Sequence, residues 1–307
     1  MITALAGGTG AAKFLRGLVA VADPARVTVI GNTGDDLELW GLHISPDLDT
    51  VTYTLAGLID ETKGWGLRGD TFHCLQAMAA LGGETWFNLG DRDLAMHLFR
   101  TERLRRGDAL SAVTDAIRRA LGVRSRILPM SDEPVRTRIR STTGWLSFQE
   151  FFVKEKARVE ILDVAYAGAD AARPAPGVVE AISEARAVVV CPSNPVTSIG
   201  PILAVPGVAG ALTATRAVVL AISPIVAGAA VSGPAGALMA AKGLAVSAAG
   251  VATAYGRWLD VMVIDRQDQA LTPELLRLGV SPVVTSTVMT DRQREVALAR
   301  AVLEALG

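Results

Sequence analysis

The chain opens with "ITALAGGTGAAK", Ile2 to Lys13. A short apolar run breaks into Gly7, Gly8 and Gly10, and a helical pattern follows from Ala11 to Ala22. Strand, glycine turn and helix start in that order form the local geometry that receives phosphate. Glycine lets the backbone approach a ligand closely, and the helix N-terminus offers unpaired N–H groups. Two familiar patterns fail here. The dinucleotide fingerprint GxGxxG, set on Gly8 and Gly10, requires a third glycine where Lys13 stands, which disfavours an ordinary nicotinamide dehydrogenase. The Walker A pattern requires Gly-Lys-Ser/Thr, but Lys13 follows Ala12. What remains is a phosphate loop of another type, with Gly7, Gly8, Thr9, Gly10 and Lys13 as its candidates. On these residues alone, a tight strand–helix turn without a ligand is an equal alternative.

Further runs of the same kind follow along the chain: "VTVIGN" (27–32), "RAVVVCPSN" (186–194), "RAVVLAISP" (216–224), "LDVMVID" (259–265) and "VSPVVTS" (280–286). Continuous apolar runs of this length suit strands covered on both faces. Helical patterns separate many of them, and Asp291 to Leu306 closes the chain with strong helix formers. Strands alternating with helices predict an α/β domain, Rossmann-like and doubly wound, on a mainly parallel sheet. The middle differs. Residues 50–122 are helical by pattern with glycine-rich joints, whereas "RSRILPMS" (124–131), "VRTRIRST" (135–142) and "WLSFQEFFV" (145–153) alternate like an antiparallel ribbon. The expectation is one domain, with its core from about 1–50 and 165–307 and an inserted helical and β-ribbon portion at about 50–165.

Composition excludes several classes. The 307 residues are 50% hydrophobic and 20% charged, with a formal net charge of −1. No basic excess marks a nucleic-acid footprint. Cys74 and Cys191 form neither a disulfide framework nor a CxxC metal pair, and no signal-peptide pattern is visible, so a cytoplasmic protein is expected. Ala217 to Ala241 lacks charge, yet Pro224, Pro234 and several glycines interrupt it. It reads as a buried strand, a loop and a small-residue helix, with no membrane span.

Several polar stretches follow strands. "GNTGDDLELWG" (31–41) carries Asp35 and Asp36, candidates to hold a metal or to cap a helix. It emerges at the carboxyl edge of the sheet, as the glycine loop does, where open α/β sheets bind ligands. "SPDLDT" (45–50) supplies Asp47 and Asp49. One N-cap explains one aspartate, and Mg²⁺ takes one or two carboxylates beside phosphate oxygens. In "LGDRDLAMH" (89–97), Arg92 is either a solvated partner of Asp91 and Asp93 or a pocket residue for an anion or a flat ring. Ser193, Asn194 and Ser223 lie in loops after strands, as hydrogen-bond donors to a ligand or as ordinary turn residues. His43, His73 and His97 show no metal spacing and read as structural or surface groups. Trp40, Trp65 and Trp86 are either pocket walls or core.

Taken together, "GGTGAAK", "NTGDDLELWGLHISPDLDT", "GWGLRGDTF", "LGDRDLAMH", "ILPMSDEPVRT", "FQEFFV", "PSNPVTSIGPI" and "SPIVAGAAVSGPAGALM" resemble the 2-phospho-L-lactate transferases of coenzyme F-420 biosynthesis, over residues 1 to about 265. The resemblance implies a Rossmann-like core, a homodimer and two small-molecule partners. One is a guanylylated three-carbon phosphoacid donor, carrying phospholactate or enolpyruvyl phosphate. The other is Fo, 7,8-didemethyl-8-hydroxy-5-deazariboflavin, whose ribityl hydroxyl attacks the phosphate while GMP leaves. The positions of the motifs suggest the roles within that reaction. Gly7, Gly8, Thr9, Gly10 and Lys13 hold the guanosine diphosphate part, with Ser193, Asn194 and Ser223 on the nucleotide side. Mg²⁺ sits on Asp36 and Asp49 with Asp35 or Asp47. Asp49 and Asp36 are the catalytic candidates, and Asp49, Asp91 and Arg92 face Fo. The runner-up is a non-catalytic, nucleotide-sugar-binding regulator of the related gluconeogenesis-factor type. Those proteins carry a glycine- and serine-rich loop in place of "GDDLELWG" and lack "SPDLDT".

Overall fold

The computed structural model describes residues 1–307. Seven strands form one parallel sheet: β1 (Ile2–Ala6), β2 (Val27–Gly31), β3 (Arg126–Pro129), β4 (Ala187–Val190), β5 (Val218–Ile222), β6 (Val261–Asp265) and β7 (Ser281–Thr285). Their order across the sheet is β3-β2-β1-β4-β5-β6-β7. The chain therefore winds outward from β1 in one direction, then returns to β1's other side and winds outward again. β1 pairs with both β2 and β4, Leu5 lying between Ile30 and Val190. The order reverses between β1 and β4, which is where an open α/β sheet leaves a crevice at its carboxyl ends.

Both faces of the sheet are covered, and the strand period of two divides the residues between them. Val188 and Val190 enter one core, with Phe151, Ile202 and Leu238. Val189 enters the other, with Phe14, Leu15 and Leu18 of helix α1 (Gly8–Val21) and Leu298 and Val302 of the last helix, Arg292–Ala305. This double burial is why the strands read as unbroken apolar runs. At the α1 surface, the Glu295 carboxylate is almost fully buried and is satisfied by Arg16, whose Nε donates to it at 2.7 Å.

The middle of the chain corrects the expected division. "RSRILPMS" does not join the ribbon: Arg126–Pro129 is β3, parallel to β2 with Val29 opposite Ile127. The expected insertion at 50–165 is therefore interrupted by a strand of the core sheet. On one side of β3 lie helices α2 (Pro46–Leu55), α3 (His73–Ala80) and α4 (Asp91–Arg105), and the helix Leu110–Ala120. On the other lies a three-stranded antiparallel ribbon with Arg136–Ser141 at its centre, flanked by Gly144–Ser147 and Asp163–Ala167. The strand expected over 145–153 stops at Ser147. There the Ser147 N–H donates to the Glu150 carboxylate at 2.7 Å, and the Glu150 N–H donates to Ser147 Oγ at 3.2 Å. That reciprocal pair is a capping box, and it starts a π-helical turn over Glu150–Lys154.

The uncharged stretch behaves as read: β5, a short hairpin at 225–230, then the helix Ala235–Ala241. No single helix is long and apolar enough to cross a membrane.

Candidate active site

A cavity of about 650 Å³ opens where the β1 and β4 loops part, at the reversal of strand order. The glycine loop forms one wall. Gly7 is the extended N-cap of α1, a residue with no side chain to cap the helix, and the first turn carries no acidic residue. The Gly8 N–H faces the Asp47 carboxylate, so the helix N-terminus and that carboxylate meet at the cavity wall. Glycine is required at two points by contact alone. A Cβ on Gly7 would stand 2.7 Å from Asp47 Oδ2, and one on Gly10 would stand 2.4 Å from the Pro192 carbonyl oxygen. Thr9 and Lys13 also line the cavity, and Lys13 is exposed. Ser193, Asn194 and Ser223 line it too. Ser193 Oγ lies 3.4 Å from the Gly7 N–H, which donates to it. Asn194 Oδ1 accepts from the Val196 N–H at 2.9 Å, and the Ser223 hydroxyl donates to the Ile225 carbonyl at 2.8 Å. Those two side chains serve turns first.

The four aspartates separate. Asp35 and Asp47 line the cavity beside the glycine loop. Asp35 Oδ1 is buried without a partner. Asp47 Oδ2 accepts from Asn32 Nδ2 at 2.9 Å. Burial, then the charges of Asp47 and Asp36, hold the Asp35 carboxyl well above the usual carboxylate range. Burial likewise pushes Asp47 up to about 6, against the opposing pull of the Asn32 amide and the Gly8 N–H and with help from Asp36. Asp36 does not line this cavity. It accepts from Ser45 Oγ at 2.8 Å, its Oδ2 lies 3.0 Å from His43 Nε2, and it faces a separate space of about 170 Å³. Neither Asp35 nor Asp36 caps a helix, because a short hairpin, Leu37–Leu39 with Leu42–Ile44, follows them.

Asp49 lines the cavity but is already engaged. Arg100 grips both its oxygens, NH1 donating to Oδ2 at 3.1 Å and NH2 to Oδ1. Burial still raises its pKa, outweighing the attraction of Arg100 and His97. Below it, the Tyr53 hydroxyl donates to Asp93 Oδ1 at 2.5 Å. His97 stands between, Nε2 3.3 Å from Asp93 and Nδ1 3.8 Å from Asp49. Burial would raise Asp93, but His97 and the Tyr53 hydroxyl outweigh it and hold the group below its usual range. This cluster of Asp49, Tyr53, Asp93, His97 and Arg100 is an interlocked floor under the cavity. His97 is thus a lining residue, beyond the structural role read from its lack of metal spacing. One signal was available. Asp93, His97 and Arg100 recur at i, i+4 and i+7, which places three polar groups on one face of α4, and that face is buried.

Asn32 also escaped the sequence reading. Its amide bonds Asp47 and the Thr197 carbonyl, at 2.9 and 3.2 Å, and its Oδ1 accepts from the Gly34 N–H at 2.8 Å. One side chain so joins the β2 loop, α2 and the turn after β4. Asp91 and Arg92 are placed differently from their expected roles. Neither lines the cavity. Asp91 accepts from Thr71 Oγ1 and from the His73 and Cys74 N–H groups at the start of α3. Arg92, exposed, donates to the Arg68 carbonyl at 3.3 Å. Of Trp40, Trp65 and Trp86, only Trp65 is a cavity wall.

The partnerless oxygen of Asp35 is a free donor for a cation. No group of three or more acidic, His or Cys side chains converges. Mg²⁺ does not require one, since it takes one or two carboxylates and completes its shell with water and phosphate. Asp35 and Asp47 fit that need. Asp36 and Asp49, the expected pair, fit it less well: Asp36 also keeps a partnerless Oδ1, but it faces the separate space with its Oδ2 held by Ser45, and Asp49 is held by Arg100.

A family model described as 2-phospho-L-lactate transferase CofD matches residues 2–304. A Streptomyces griseus protein named phosphoenolpyruvate transferase is 47% identical over 309 residues, 99% of this chain and 97% of its own length. A Methanocaldococcus jannaschii protein named 2-phospho-L-lactate transferase is 41% identical over 311 residues, 100% of this chain and 98% of its own. The crystal structure of a upf0052-family protein from Bacillus halodurans superposes with a TM-score of 0.63 at 18% identity, covering 98% of each chain, and is alike in fold.

Proposed function

This chain belongs to the 2-phospho-L-lactate transferase family, enzymes of coenzyme F-420 biosynthesis, and from that premise we propose how its cavity carries the reaction. The enzyme transfers a phospholactyl-type group. The donor is a guanylylated three-carbon phosphoacid and the acceptor is Fo. The ribityl terminal oxygen forms a bond to the phosphorus that bears the three-carbon unit, the P–O bond to GMP breaks, and GMP leaves with the electron pair. The hydroxyl proton passes to a cavity carboxylate. The observation that carries this reading is the glycine N-terminus of α1 beside two carboxylates that lack cationic partners, in one cavity.

Phosphoryl transfer is mostly positioning and charge stabilisation. Gly7 to Gly10 and Lys13 take the diphosphate. Asp35 and Asp47 hold Mg²⁺, which when bound supplies positive charge to the diphosphate oxygens. Asp49, fixed by Arg100, orients the acceptor hydroxyl. Arg92 is assigned to the Fo side by the position of its motif; it does not line the cavity, and its exposed guanidinium would have to leave the Arg68 carbonyl to meet the acceptor. The donor carrying enolpyruvyl phosphate is favoured by the higher identity to the Streptomyces relative. An end-point assay with purified protein, Mg²⁺, Fo and each guanylylated donor, read by product mass, tests both statements. No product from either donor overturns the reaction, and product from the phospholactyl donor alone overturns the donor choice.

The homodimer is proposed through α3. Its sequence, "HCLQAMAA", is largely apolar, yet none of its residues is buried. Leu81 beyond it, and Leu98 and Phe99 on the neighbouring α4, are exposed. An apolar patch of this kind marks an association surface. Leu98→Lys with Leu81→Lys gives a monomer by sedimentation, and an unchanged species refutes the placement. A cytoplasmic setting fits Cys74, an exposed free thiol.

A further inference from the structure

The "FQEFFV" segment has no part in the phosphate cradle or the carboxylates, yet two of its side chains form a wall of the same cavity. Phe148 and Phe152 both line it. Their rings stack on each other, 11° from parallel with centroids 5.5 Å apart. Phe152 is 41% exposed, whereas its neighbour Phe151 is fully buried in the core and anchors the turn. The turn is a π-helical one, a form that recurs at functional sites, and the Ser147–Glu150 capping box holds its start. Gln149 Nε2 donates to the Asp35 carbonyl at 3.3 Å, so the aromatic pair is tied directly to the carboxylate loop.

Two flat ligand parts are candidates for this wall, the guanine of the donor and the tricyclic ring of Fo. Guanine is distinguished by the donors and acceptors on its edge. The loops after β4 and β5 supply such groups to the cavity, through Ser193, Asn194, Ser223 and Ser232. The wall of Phe148, Phe152 and Val153 offers faces and almost no edge partners, which suits a large ring recognised by area. Its tether to Asp35 also puts an acceptor's chain next to the carboxylates. Resting on the transferase reading above, we propose that Phe148 and Phe152 form the platform on which the deazaflavin ring of Fo stacks. Both are substrate-binding residues that set acceptor specificity.

The test is Fo fluorescence titration and GDP calorimetry on the full chain, comparing wild type with Phe152→Ala, Phe152→Tyr and Phe152→Leu. Phe152→Ala weakens Fo binding about ten-fold or more, the size that loss of one aromatic stacking partner produces, and leaves GDP affinity unchanged. Phe152→Tyr restores Fo affinity, and Phe152→Leu, which keeps apolar volume to safeguard the fold, does not. Loss of GDP affinity with Fo affinity intact assigns the wall to guanine and overturns the platform. Unchanged binding of both ligands also overturns it, leaving the transferase reading in place. A wild-type protein that binds no Fo overturns the transferase reading, and the platform with it.

Discussion

Asp47 and Asp49 sit two residues apart on the first turns of α2, both buried and both on the same cavity, yet they live in opposite electrostatic surroundings. Asp47 faces the glycine loop with an amide, a backbone N–H and other carboxylates for company. Asp49 faces α4, where Arg100 takes both of its oxygens. The side near β1 is thus an unsatisfied half, held open for something charged. The side on α4 is a satisfied half, closed upon itself. Residue type does not decide which carboxylate is left to take a cation; the partner brought by the fold does.

If the α4 side is a closed ionic floor, its removal acts on stability first. Arg100→Met leaves Asp49 buried without its cation, and unfolding in urea shows a loss of about 3–5 kcal/mol. A loss below about 1 kcal/mol would mean that Asp49 is solvated and the contrast is absent. If the β1 side is open for a cation, Asp47→Asn acts on ligand binding with the fold intact. It lowers Mg²⁺ affinity, and turnover at limiting Mg²⁺, by more than the roughly 10–100-fold that an outer-shell partner is worth. The same variant has a second readout. Asp47 binds its proton more tightly folded, at about 6 against an ordinary 3.8, so the folded state holds more protons than the unfolded state in that window. Metal-free stability therefore falls as pH rises from 3.8 to about 6. Thermal melts show that slope in the difference between wild type and Asp47→Asn, since the other carboxylates titrate in both, and adding Mg²⁺ removes it. A difference of opposite sign would put Asp47 beside a cation of the protein's own.

Lys13→Ala has a smaller effect, weakening GDP about ten-fold, the scale of one hydrogen bond to a charged group, while Fo affinity is retained. Equal losses for both ligands would remove the glycine loop from the nucleotide side. The smallest effect concerns the turn that joins the ribbon to the open half. Glu150→Ala removes one arm of the capping box and lowers stability by about 1 kcal/mol in a denaturant titration, with the sheet unaffected.

The strands of the sheet centre were legible because both faces are covered and their residues run apolar without break. β3 was not, because it is short and follows the polar run Arg124 to Arg126: only Ile127, Leu128 and Pro129 are buried, with Ile127 and Leu128 entering opposite cores, and that brief apolar stretch does not stand out from the neighbouring ribbon. The glycine loop was legible from spacing, since close approach to Asp47 and Pro192 leaves no room for a side chain. The division of labour among the aspartates was hidden. It depends on Arg100, which lies 51 positions from Asp49 in the chain, and no local pattern states which acid an arginine will find. Asp91 and Arg92 show the same limit, their nearest partners being the start of α3 and the Arg68 carbonyl.

β1 takes one neighbour from Val27 onward and the other from Ala187 onward. During synthesis β1 therefore waits half-paired until Ala187 and its strand have followed it. Its second edge stays bare through that interval, a template for pairing with another nascent chain. Chains stopped short of Ala187 would carry the glycine sequence yet expose this edge, so premature termination yields aggregating fragments and no partial nucleotide binder.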